Sequence, residues 1–178
     1  MTPVTVKINR APVMTLWAAV VAERLGFDRD AALTLAKVVT GLNAQAKGQR
    51  LGIYEPAPVK DRVQRLKQQP PGASSSVELL GRAVPVVNTP DGLRATQDDK
   101  PVSPAAVERY LAGKFGDSLG AVRMAMQELA AVFSEDELAD TAFRLYEKFR
   151  PVIPPGIKGW GAAGELDLDF IRSLASRR

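Results

Sequence analysis

Val4, Val6 and Ile8 alternate with Thr5 and Lys7, a period of two that predicts a short strand or extended arm over residues 1–10. The period then changes. Val13, Leu16, Trp17, Val20, Val21 and Leu25 recur at three- and four-residue steps, as the inner face of an amphipathic helix does. Pro12 suits its first turn, where a missing N–H does no harm, and Gly26 closes it. Asp28 or Asp30 then caps a second helix whose apolar face takes Ala32, Leu35, Val38, Val39 and Leu42. Together these two segments predict a packed helical hairpin.

Residues 46–50 turn polar and basic, and residues 51–58 read as a proline-bearing loop around Tyr54. Residues 59–69 predict a short basic helix with Val59, Val63 and Leu66 inside. Pro70, Pro71 and Gly72 stop it, and Ser74, Ser75 and Ser76 continue as linker. Residues 84–87 and 93–96 flank Asn88-Thr89-Pro90-Asp91-Gly92, which predicts a small hairpin closed by an Asp-Gly turn, with Pro85 on an edge. Ser103 followed by Pro104 opens a helix through Phe115, and another runs over about 118–133. Ser134 with Glu137 forms a capping box for a helix that ends at Arg150, before Pro151. Residues 152–164 read as a Pro/Gly-rich loop, and a last short helix over 168–175 takes Asp167 as its cap. The expected fold class is therefore mainly α, a bundle of about six helices with one small β-hairpin. Its organisation reads as a basic helical part over 1–68, a Pro/Gly/Ser linker over 69–76 and a hairpin-plus-helix part over 77–178. The alternative is one compact domain.

Composition narrows the chemistry. Of 178 residues 46% are apolar, enough for a real core. The longest apolar stretch, residues 16–22, is stopped by Glu23 and Arg24, far short of the roughly 20 residues that cross a bilayer. No small-residue cleavage site follows the first basic residues, so a cytoplasmic protein without membrane contact is expected. The chain has neither cysteine nor histidine. That excludes disulfides, thiol catalysis, zinc ribbons and iron–sulfur clusters, and also the side chain most used as a general base near neutral pH. No enzyme activity, cofactor or metal is expected.

Charge supplies the positive signal. Residues 1–72 hold 11 Lys/Arg against 5 Asp/Glu, whereas residues 73–178 hold 13 against 15. Lys47, Arg50, Lys60, Arg62, Arg65 and Lys67 concentrate the excess, with Gln45, Gln49, Gln64, Gln68 and Gln69 as further donors and Tyr54 as a stacking group. Each cation that neutralises a phosphate releases counterions, so such a run favours salt-sensitive, sequence-independent binding of nucleic acid.

A second signal lies further on. Leu111-Ala112-Gly113-Lys114-Phe115-Gly116-Asp117-Ser118, then Val122-Arg123, Ala125-Met126 and Leu129, resembles the helix-turn-helix of GntR-type regulators over about 20 residues. The resemblance implies that Gly116 makes the turn, Ser118 caps a recognition helix and Arg123 adds a nucleic-acid contact. Leu119, Gly120 and Ala121 depart from it, because they offer nothing polar to base edges. No hairpin wing follows, since Ser134 opens another helix.

Three other patterns have structural readings. Gly159-Trp160-Gly161-Ala162-Ala163-Gly164 spells a dinucleotide fingerprint but follows Pro154-Pro155, which no central parallel strand contains, so the glycines are expected to let the chain pass close by. Glu165, Asp167 and Asp169, like Glu135, Asp136 and Glu137, fit helix first turns without a ligand. Phe143, Tyr146 and Phe149 lie three residues apart, a spacing that drifts round a helix, so at least one ring is expected at its edge. The stripe reads as core, while Phe149 and Trp160 flank a Pro-rich loop and are candidates for a partner or dimer contact. The expected function is thus a small nucleic-acid-binding protein of regulatory type, acting on backbone phosphate. The alternative is a helical protein–protein interaction module or homodimer.

Overall fold

A computed structural model describes residues 5–46, 59–70, 72, 74–152 and 163–176. Helix α1 (Arg10–Arg24) is its axis. Every residue from Pro12 to Ala22 is buried, and α2 (Arg29–Ala46), α4 (Pro104–Phe115), α5 (Leu119–Ala131) and α6 (Glu135–Phe149) all pack around it. A helix that is apolar on most sides has to be covered on most sides. The spacing predicts one inner face. The alanines at 18, 19 and 22 make the other faces equally buriable.

Helix α2 sits between α1 and a four-stranded antiparallel sheet of order β2-β3-β4-β5. Its strands are β2 (Ser74–Leu79), β3 (Arg82–Thr89), β4 (Gly92–Gln97) and β5 (Lys100–Pro101). Two hydrogen bonds through threonine hydroxyls fix this layering. Thr15 Oγ1 and Thr40 Oγ1 lie 2.9 Å apart across α1 and α2, and the Ala95 amide donates to Thr34 Oγ1 at 2.9 Å. A second, two-stranded antiparallel sheet pairs β1 (Thr5–Ile8) with β6 (Gly164–Asp167), joining the two ends of the chain. Helix α7 (Leu168–Ser176) follows and packs on α5, and the short basic helix α3 (Val59–Lys67) contacts α6. Among the described residues no helix is long and apolar enough to cross a membrane.

The mainly α bundle with one hairpin is therefore corrected. The expected helices are present, but beside them stand two antiparallel sheets of four and two strands. Ser74, Ser75 and Ser76, read as linker, begin β2 and pair with Val87, Val86 and Pro85. An edge strand needs only one buried face, and here the inward positions start at Val77 and Leu79. The loop expected over 152–164 ends in β6, because Gly164 opposes Ile8. A Cβ at Gly164 would lie 2.6 Å from the Val152 carbonyl oxygen, so the close passage expected of these glycines is real at this one.

Capping follows the sequence closely. The Ala31 amide donates to Asp28 Oδ1, the Ala106 amide to Ser103 Oγ and the Phe170 amide to Asp167 Oδ1. Ser134 and Glu137 complete both halves of the capping box on α6. Leu80 and Gly81 turn β2 into β3 with φ of 50° and 77°, a primed turn that needs two left-handed residues. Leu80 accepts that backbone while its side chain is buried at 3% exposure.

Candidate functional site

Helix α3 carries the expected basic run. Val63 and Leu66 point into the core, and Lys60, Gln64, Arg65, Lys67 and Gln68 are exposed, with Asp61 as their acidic neighbour. The helix is held from below by one amide: Asn88 Nδ2 donates to the Leu66 carbonyl at 2.9 Å and to the Gln69 carbonyl at 3.0 Å. Lys67 Nζ also donates to the Gly26 carbonyl at 2.9 Å, tying α3 to the turn between α1 and α2. Lys47 and Arg50 lie outside the described residues, as does Trp160, and of Arg62 only the helical backbone is described.

Arg123 stands apart from α3. Helix α4 ends at Phe115, Gly116 turns with φ of 56° into a single 3-10 turn (Gly116–Ser118), and α5 follows. Ser118 is itself in a helical conformation and its side chain makes no capping bond, unlike the cap that the GntR-type resemblance implies. Gly120, Ala121 and Met124 are exposed on α5, and Val122, Ala125, Met126 and Leu129 are buried. Arg123 is half-buried and turned toward a cleft between α1, α2 and α5.

That cleft is lined by Ala19, Val20, Glu23, Arg29, Leu33, Arg123 and Gln127 and encloses about 80 Å³. Ala19, Val20 and Leu33 are buried and form an apolar floor. Arg29, at the start of α2, donates to Glu108 of α4. Glu23 and Arg123 are half-buried, and among the described residues neither side chain has a hydrogen-bond or ion-pair partner. Sequence reasoning missed Glu23, Arg29 and Gln127 as a group. They come from three helices, Gln127 about 100 positions beyond the other two, and no local spacing signals such a meeting.

The remaining candidates have structural duties. Phe149 is 2% exposed and stands edge-on to Trp17 with centroids 5.2 Å apart, so its ring faces the core rather than a partner. Trp17 Nε1 donates to the Ala142 carbonyl at 2.9 Å, locking α1 to α6. Tyr146 is buried beside them, its hydroxyl donates to the Arg10 carbonyl at 3.4 Å, and burial pushes its pKa up to about 12. Asp30 pairs with Arg94 at 3.8 Å and Asp169 with Arg172 at 3.8 Å. Among the described residues no cluster of three His, Cys, Asp or Glu is arranged to hold a metal ion. Neither a family model, nor a curated protein, nor a solved structure matches this chain.

Proposed function

We propose that this is a small cytoplasmic protein that binds nucleic acid through backbone phosphate, with α3 as the contact element. One observation carries the reading: α3 buries Val63 and Leu66 while Lys60, Arg65 and Lys67 stay exposed. Lys60, Gln64 and Lys67 follow one another at i, i+4 and i+7, one donor per turn along a single stripe. The Asn88 clamp fixes the helix in advance, so little freedom is lost when phosphate docks. Lys47, Arg50 and Arg62 extend the run in sequence, and Arg123 is a separate contact if the helix-turn-helix resemblance holds.

The test is fluorescence anisotropy of labelled single- and double-stranded oligonucleotides over a series of salt concentrations. Binding should weaken log-linearly with salt, by a slope of about −0.9 for each phosphate met on duplex DNA. Changing Lys60 and Arg65 to Glu should abolish it, and both are exposed, so the fold should survive. No binding at low salt overturns the reading.

The alternative, a protein-interaction module or homodimer, is favoured by Met124 at 57% and Val132 at 39% exposure, both around α5. Sedimentation of the pure protein separates the two. A concentration-dependent dimer that Met124→Glu dissolves supports association through α5, and a monomer at every concentration removes the homodimer.

A further inference from the structure

The cleft between α1, α2 and α5 holds chemistry that phosphate binding on α3 leaves unused. Once the Arg29–Glu108 pair is set aside as internally neutral, one cation and one anion remain, Arg123 and Glu23. Both are half-buried and face the same cavity of about 80 Å³ over a floor of Ala19, Val20 and Leu33. A simple anion would meet Glu23 as well as Arg123, and a simple cation would meet Arg123 as well as Glu23. A molecule that carries an ammonium and a carboxylate on one carbon satisfies both.

We propose that this cleft binds a free α-amino acid with a short aliphatic side chain. The carboxylate takes two parallel N–H···O bonds from the fork of the Arg123 guanidinium. The ammonium donates to the Glu23 carboxylate, and the side chain lies on Ala19, Val20 and Leu33. Gln127 at the rim has an amide to offer either charged group. The cleft is small, which favours a short side chain over an aromatic one. The site shares no residue with α3, and only Arg123 is common to it and to the helix-turn-helix resemblance, so valine binding is measured with no nucleic acid present.

Calorimetric titration with L-valine tests this, with three probes beside it. Isovalerate keeps the carboxylate alone, isobutylamine keeps the ammonium alone, and L-phenylalanine keeps both charges on a larger side chain. Valine should bind saturably and all three probes far more weakly. Arg123→Gln and Glu23→Gln should each weaken valine by about tenfold or more, since each removes a charged hydrogen-bond partner. Both sites are helical and glutamine keeps helix propensity, so the fold should persist, as circular dichroism would check. Arg123→Lys, which keeps the charge and loses the fork, should fall between, and Arg144→Gln on the exposed side of α6 should bind as the parent does. The proposal is overturned if valine does not saturate, if isovalerate binds as tightly as valine, or if both glutamine variants keep the parent affinity.

Discussion

Thr34 carries a task that no sequence rule assigns to a threonine in mid-helix. Strand β5 ends at Pro101, and Val102 still donates to the Ala95 carbonyl, but the Ala95 amide finds its acceptor in Thr34 Oγ1. The same hydroxyl donates to the Ala31 carbonyl at 2.8 Å and is fully buried. Thr34→Val keeps the shape and strands a buried amide, so urea unfolding should lose about 1–3 kcal/mol, while Thr34→Ser should keep most of the stability. Tyr146 supplies a pH signature. Its folded pKa of about 12 lies above the ordinary value near 10, so the unfolded chain ionises first and stability is lost as pH rises from 10 to 12. The loss from this group approaches about 1.4 kcal/mol per pH unit inside that window and is absent below it. Parent and Tyr146→Phe denaturation curves should therefore converge with rising pH, and parallel curves would refute the assignment.

At the scale of elements, one glycine governs how the chain ends meet. Val152 and Glu165 exchange two backbone hydrogen bonds of 3.2 Å beside Gly164, and the nearest atoms to an added Cβ are backbone. Backbone yields less readily than a side-chain tip. Gly164→Ala should thus cost about 1–3 kcal/mol and speed hydrogen exchange at Val6 and Ile8, which pair with β6. Helix α1 shows the opposite dependence, on filling rather than emptiness. Trp17 is fully buried, bonded to Ala142 and set against Phe149, so Trp17→Ala should cost about 3–5 kcal/mol in the same unfolding assay.

At the scale of the whole molecule, a single apolar cluster runs from Ile8 to Ile171 and includes residues on both sides of positions 69–76. Val63 and Leu66 before that stretch and Val77, Leu79 and Val84 after it belong to the same cluster. Thermal unfolding followed by far- and near-ultraviolet circular dichroism should therefore coincide in one transition. Two separated transitions would mean that the stretch divides the chain into independent parts.

How much was legible follows the range of the forces involved. Helix starts were written locally: Asp28, Ser103, Ser134 and Asp167 each accept from an amide three residues on, which is a matter of neighbours alone. The hairpin between β3 and β4 and the outward basic face of α3 are local in the same sense, although the two turn residues are Pro90 and Asp91 and Gly92 already pairs with Thr89. The polar serines of β2 and Gly164 at the head of β6 carry no periodicity of their own, and they became strand residues because β3 and β1 offer them hydrogen bonds. Phe149 was legible as part of an aromatic stripe, but its seat between Tyr146 and Trp17 was not, since Trp17 comes from the far end of the sequence. The cleft is the extreme case, with Glu23, Arg29 and Arg123 on three helices. The sequence by itself determined which segments are helices, where they start and which charges lie on their outer faces, because those depend on contacts within a turn or two. Tertiary structure alone decided the two sheets, the burial of α1 on all sides and the placing of Glu23 and Arg123 on one cleft, because each requires groups distant in the chain to come together.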